Sequence, residues 1–116
     1  LKLHKSSFVK PFLISLQEYM TEMLNKESYF YEKAMAAVAD PYRMSILQEI
    51  RQKGSIRCCD VVELTGLSQP TCSHHIRLLS ESELIECRKE GRNNFFTINR
   101  ENFKRLGKFL EQFASA

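Results

Sequence analysis

The side chains best suited to chemistry crowd the stretch Ser68-Gln69-Pro70-Thr71-Cys72-Ser73-His74-His75-Ile76-Arg77-Leu78-Leu79. Gln69, Thr71, Ser73, His74, His75 and Arg77 offer amide, hydroxyl, imidazole and guanidinium groups. Such groups hydrogen-bond to base edges and to phosphates, and short ones near a helix N-terminus fit a major groove. Cys72, Ile76 and Leu79 recur at i, i+4 and i+7, which defines a buried face. A helical wheel sets Pro70, Thr71, His74, Arg77 and Leu78 on the opposite side, with Gln69 and Ser73 at its edges. His75 falls nearer the buried face, where packing competes with a groove contact. The adjacent pair Cys58-Cys59 is the second chemical feature. A soft-metal site needs two or more converging thiolates. Neighbouring residues on a helix point about 100° apart, so this pair needs a frayed helix start or a further ligand such as His4. Redox reactivity is the other chemistry open to these thiols.

These groups need elements to hold them. Gly66 can take the left-handed backbone that ends a helix. Ser68 can cap the next, and Pro70 falls in its first turn. The stretch therefore reads as the turn and second helix of a helix-turn-helix, with that helix running from Gln69 to about Glu81. Upstream, Asp40-Pro41 marks a helix start, with Met44, Leu47 and Ile50 facing inward and Gly54 at its end. A short helix follows from about Cys59 to Leu64. Downstream, Leu84–Lys89 and Asn93–Ile98 read as the arms of a β-hairpin with Glu90-Gly91-Arg92 between them. Arg88, Lys89 and Arg92 lie near its tip.

Amphipathic helices flank this centre. The first runs from about Ser7 or Pro11 to Asn25, with Phe12, Leu16, Met20, Met23 and Leu24 on one side. Ser28 caps a second stretch carrying Phe30, Ala34, Met35 and Val38, and Asn99 caps a last helix. The expected fold is mainly α with a small β-hairpin: a winged helix-turn-helix with helical dimerisation elements at both ends. Residues 1–27 are the expected N-terminal extension and dimerisation helix, 28–99 the winged helix-turn-helix domain, and 100–116 the C-terminal dimerisation helix. Phe12, Leu16 and Met20, with Phe103, Leu106, Leu110 and Phe113, form stripes that suit a second copy of the chain. The competing reading is that they close the monomer's own core. Cys72 and Cys87 read as packing residues.

At 116 residues, 43% hydrophobic and 27% charged, the chain suits one small core. A net charge of +3 permits an anionic partner without demanding one. No apolar run approaches the roughly 20 residues of a membrane span, and Phe12-Leu13-Ile14 is too short for a signal-peptide core. The expectation is a cytoplasmic protein with reduced thiols, because the four cysteines make no secreted disulfide framework. No nucleophile–base pair, carboxylate dyad or phosphate-binding glycine loop suggests an enzyme.

Three motifs in order resemble the ArsR/SmtB family of winged-helix repressors, over about Ala34 to Phe103. Ala37-Val38-Ala39-Asp40-Pro41-Tyr42-Arg43-Met44-Ser45-Ile46-Leu47 is similar to the family's "ALADPTRLRIL" segment. Leu67-Ser68-Gln69-Pro70 through Ser73-His74-His75-Ile76 resembles its "LSQPxxSHHL" recognition helix. Cys87-Arg88-Lys89-Glu90-Gly91-Arg92 resembles its "RREGR" wing, with Phe95-Phe96 where a Tyr pair is usual. One departure is Glu83, where the family usually has Gly before the first strand. The resemblance implies a homodimeric repressor that binds an imperfect palindrome in double-stranded DNA and leaves on a signal. Gln69, Thr71, Ser73, His74, His75 and Arg77 would meet bases and phosphates, and Arg88, Lys89 and Arg92 would add wing contacts. Family arsenic and cadmium sensors carry Cys-x-Cys-Asp at the start of the short helix. Here Cys59 falls on the second cysteine, Arg57 on the first and Cys58 on the spacer, while the third cysteine of some arsenic sensors falls on Val62. The family's other metal site, built of acidic and His residues on the last helix, has no His or Asp to use between 99 and 116. No metal or cofactor is therefore expected, with Cys58 and Cys59 the only candidates. Rival readings are a winged-helix module that docks protein, and a variant that senses metal, metalloid or oxidant through Cys58 and Cys59.

Overall fold

The computed structural model describes residues 15–115. Phe12, His4 and the proposed start of the first helix lie outside the described residues. Helix α1 spans Leu16–Val38 without interruption. The expected break before Ser28 is not made, because neither Gly nor Pro occurs between Leu16 and Val38 to stop a helix already propagating. The chain divides between Phe30 and Tyr31 into two units. In the first, the described part of α1 leaves Leu16, Met20, Met23 and Leu24 exposed.

The second unit contains the end of α1, then α2 (Pro41–Lys53), α3 (Cys58–Thr65), α4 (Gln69–Glu81), strands β1 (Ile85–Glu90) and β2 (Asn93–Ile98), α5 (Arg100–Glu111) and a 3₁₀ turn at Gln112–Ala114. The local stop and start signals work as the residues dictate. Asp40 accepts from the backbone N–H groups of Tyr42 and Arg43 at 3.0 and 3.1 Å, with Pro41 following it. Gly66 ends α3 at φ 74° and Ser68 starts α4. Asn99 accepts from Asn102 N–H at 3.0 Å.

The core draws Ala34 and Ala37 from α1, Ile46, Leu47 and Ile50 from α2, Val61 from α3, and Cys72, Ile76 and Leu79 from α4. Ile56, Leu84, Ile85 and Leu106 complete it. Met44 is not among them: it is 43% exposed. The inward stripe of α2 is Arg43, Ile46, Leu47 and Ile50, at i, i+3, i+4 and i+7. The place expected for Met44 thus belongs to an arginine, whose guanidinium reaches backbone carbonyls of α1.

β1 and β2 pair antiparallel from Ile85↔Ile98 to Glu90↔Asn93, leaving Gly91 and Arg92 as the turn. Ile56 exchanges two backbone hydrogen bonds with Phe96, at 3.1 and 2.8 Å, so the segment before α3 ties the hairpin to the body. Among the described residues no helix is long and apolar enough to cross a membrane.

The hinge into the hairpin carries the departure seen in the sequence. Glu83 adopts φ 66°, a left-handed conformation that glycine takes freely. A residue with Cβ loses roughly 1–2 kcal/mol there. Glycine would recover much of this, less its greater unfolded-state freedom. Its carbonyl accepts from Asn102 Nδ2 at 2.7 Å, a bond glycine would keep. Glu83→Gly should raise stability by about 0.5–1 kcal/mol in denaturant unfolding, whereas Glu83→Val should lower it.

Candidate nucleic-acid interface

The inner face of α4 is the one the wheel predicts, and the outer face follows it in part. Cys72, Ile76 and Leu79 are buried, and Gln69, Ser73, His74 and Arg77 are exposed. Thr71 and Leu78 are half-buried. Ser68 Oγ accepts Thr71 N–H at 3.4 Å and lies 2.9 Å from Thr71 Oγ1, so the Thr71 hydroxyl is tied to the cap. Ser73 Oγ lies 3.6 Å from Cys58 Sγ, at the junction of α3 and α4.

His74 and Arg77 form a unit. Arg77 Nη2 is 2.9 Å from His74 Nδ1, and arginine has no lone pair to offer. Nδ1 therefore accepts, and the ring carries its hydrogen on Nε2. Arg77 Nε also lies 3.8 Å from Glu81. The outer face thus presents a held imidazole and a guanidinium, groups that can donate to a base or a phosphate.

His75 departs from the expected row. It is only 9% exposed, with Nδ1 3.1 Å from Arg43 Nη1. Its ring is turned into the body, and the reading of His75 as a groove contact is corrected accordingly. Leu106 is likewise corrected as a dimer contact: at 6% exposure it belongs to its own chain's core. Phe103 is half-buried, while Leu110 and Phe113 are 47% and 77% exposed.

In the wing, alternation along β1 puts Arg88 and Lys89 on opposite faces. Arg88 Nε is 2.8 Å from Glu90 Oε2, and its guanidinium sits 5.4 Å from the Phe95 ring centroid. Lys89 and Arg92 are exposed. Cys87 is exposed too, opposite Phe96, so the packing reading fails for it, because only Ile85 of β1 reaches the core. Cys72 does pack, 3.5 Å from Thr65 Oγ1. Cys58 is half-buried and Cys59 exposed at the start of α3. Among the described residues, no three of His, Cys, Asp and Glu come together as a metal-holding group.

A helix-turn-helix followed by a two-stranded hairpin and closed by flanking helices is a winged-helix domain. A helix-turn-helix domain family matches residues 38–88. An HTH-type transcriptional regulator of Methanocaldococcus jannaschii is 34% identical over 71% of this chain and 96% of its own length. An arsenical resistance operon repressor of Bacillus subtilis is 30% identical over 78% of this chain and 83% of its own. In three dimensions, a homodimeric winged helix-turn-helix DNA-binding domain from Mycobacterium bovis, a possible ArsR-family regulator, superposes with a TM-score of 0.60. It is 26% identical, over 81% of this chain and 83% of that one. An ArsR-like regulator from Rhodococcus shares the fold with a TM-score of 0.67 at 20% identity, over 75% of this chain and 81% of that one. The chain belongs to the ArsR/SmtB family of winged-helix transcriptional regulators, whose members are not enzymes.

Proposed function

We propose that the protein is a cytoplasmic, homodimeric repressor that reads a palindromic operator in double-stranded DNA. Two copies of α4 enter successive major grooves, with half-sites roughly 34 Å apart. Gln69, Ser73, His74 and Arg77 meet bases and phosphates, Thr71 holds the helix start, and Lys89, Arg92 and Arg88 of the wing touch the backbone. Arg88 must exchange Glu90 for phosphate to do so. The helices at the two ends, through Leu16 and Met20 and through Leu110 and Phe113, hold the copies together. The observation that carries this reading is the His74–Arg77 pair: polar groups held in one geometry, exposed on a helix whose other face is locked in the core.

Selection from a random DNA pool, followed by anisotropy titration across salt, tests it. A palindromic consensus with affinity falling steeply as salt rises supports the proposal. A protein indifferent to duplex DNA at low ionic strength overturns it, and the exposed faces of α4 and the wing then become surface for a protein partner. Within the operator, His74→Ala should lose about 1–3 kcal/mol of discrimination at one base pair of each half-site. Unchanged base preference would remove His74 from the readout.

A further inference from the structure

One arginine ties together three helices behind the recognition surface. Arg43 Nε donates to Ala37 O at 2.6 Å and Nη2 to Ala36 O at 3.3 Å, both in the last turn of α1. Its Nη1 is 3.1 Å from His75 Nδ1 on the inner side of α4. Since the guanidinium only donates, Nδ1 accepts, and His75 is neutral with its hydrogen on Nε2. Asp40 Oδ2, 3.9 Å from the same Nδ1, is then no ion-pair partner; it accepts the two N–H groups that cap α2. The other titratable rings near His75 are Tyr42 at 5.8 Å and His74 at 6.0 Å between centroids. α1 contributes the carbonyls of Ala36 and Ala37.

We propose that Arg43 and His75 are positioning residues for DNA reading, which set how α4 sits on the body, and that a proton taken up by His75 Nδ1 from solvent releases that setting. The proposal rests on the DNA-reading function above. A protonated Nδ1 faces the guanidinium donor to donor, so the hydrogen bond is lost. Among the described residues the carboxylate within reach is Asp40, whose Oδ2 already accepts the two N–H groups that cap α2, so a pair between that oxygen and His75 competes with the cap. Burial holds the His75 pKa below its ordinary value, Asp40 opposes this, and Arg43 and His74 add to it. The folded state therefore binds this proton more weakly than the unfolded chain. The associated stability is full above about 6.5, the ordinary histidine value, and is lost as pH falls from there through the lowered folded value.

Operator affinity measured from about pH 7.5 to about pH 5.5 on wild type and His75→Asn tests this, because only the wild type carries a protonatable group at position 75. Asparagine places an acceptor oxygen near Nδ1 that takes no proton in this range. The wild type should lose several-fold more affinity as pH falls over the range than His75→Asn, because protonation at position 75 favours the DNA-free setting. Arg43→Lys, which cannot span the three partners, should weaken binding throughout and lose the pH step. Parallel pH profiles for wild type and His75→Asn overturn the proposal. Imidazole ¹⁵N shifts in the DNA-free wild type provide a separate judgement that survives failure of the DNA reading. Expected there are a protonated Nε2, a bare Nδ1 and α4 amides that shift with the His75 midpoint. A hydrogen on Nδ1, or titration that leaves those amides unmoved, overturns it.

Discussion

On the proposed dimeric reading, Leu110→Asp should yield a monomer that binds the operator about 10²–10⁴ times more weakly than wild type, because linked half-site binding is lost. The inner side of α5 is already committed: Phe109 stacks on Tyr31 with centroids 3.9 Å apart, and Phe113 meets Phe109 edge-on at 5.6 Å. Leu110 and most of Phe113 are left uncovered. Burying such side chains against a second copy contributes about 1.5–3 kcal/mol each. A carboxylate there would be desolvated without a partner. In the single chain Leu110 meets solvent, so the substitution should alter folding stability by no more than about 0.5 kcal/mol. Sedimentation and anisotropy together separate assembly from folding. A Leu110→Asp protein that stays dimeric would move the proposed interface to α1, where Leu16 and Met20 are exposed.

Much of the fold was legible because its signals are local. Asp40-Pro41, Gly66 with Ser68, and Asn99 act through hydrogen bonds and backbone angles within a few residues, and each acts where it was expected. The inner face of α4 was legible from spacing alone. Contacts between distant residues were not. Arg43 and His75 are 32 positions apart, and neither residue type announces the other. Choosing Met44 for the core put residue type ahead of spacing: the stripe ending in Ile46, Leu47 and Ile50 points back to Arg43. The Ile56–Phe96 bridge involves one residue on one side, too short to leave a pattern. Leu106 and Leu110 share a stripe that a wheel cannot divide between own core and partner. In the wing, the tip charges looked like one cluster. Two-residue alternation splits Arg88 from Lys89, and Glu90, two positions from Arg88, was the available sign that Arg88 is engaged.

Leu79→Ala should cost about 2–5 kcal/mol of folding stability, the transfer loss plus the cavity left behind. Leu79 is fully buried in the last turn of α4, at the point where the chain turns toward the wing. Its backbone carbonyl accepts from Ser82 Oγ at 2.7 Å and from Leu84 N–H at 3.4 Å, bonds that alanine keeps, so the substitution removes packing alone. Domains of this size have about 5–15 kcal/mol in all, and the midpoint of thermal unfolding should fall by roughly 10 °C or more. Leu78→Ala, one residue earlier and half-buried, should cost far less. Comparison with His74→Ala distinguishes holding the helix from reading with it. At low temperature, with affinity corrected for the folded fraction, Leu79→Ala should regain most of its operator binding and keep the wild-type base preference. His74→Ala should stay fully folded and still lose discrimination. If Leu79→Ala remains folded yet reads a different sequence, the buried face of α4 also tunes the readout, and the division of the helix into a holding side and a reading side fails.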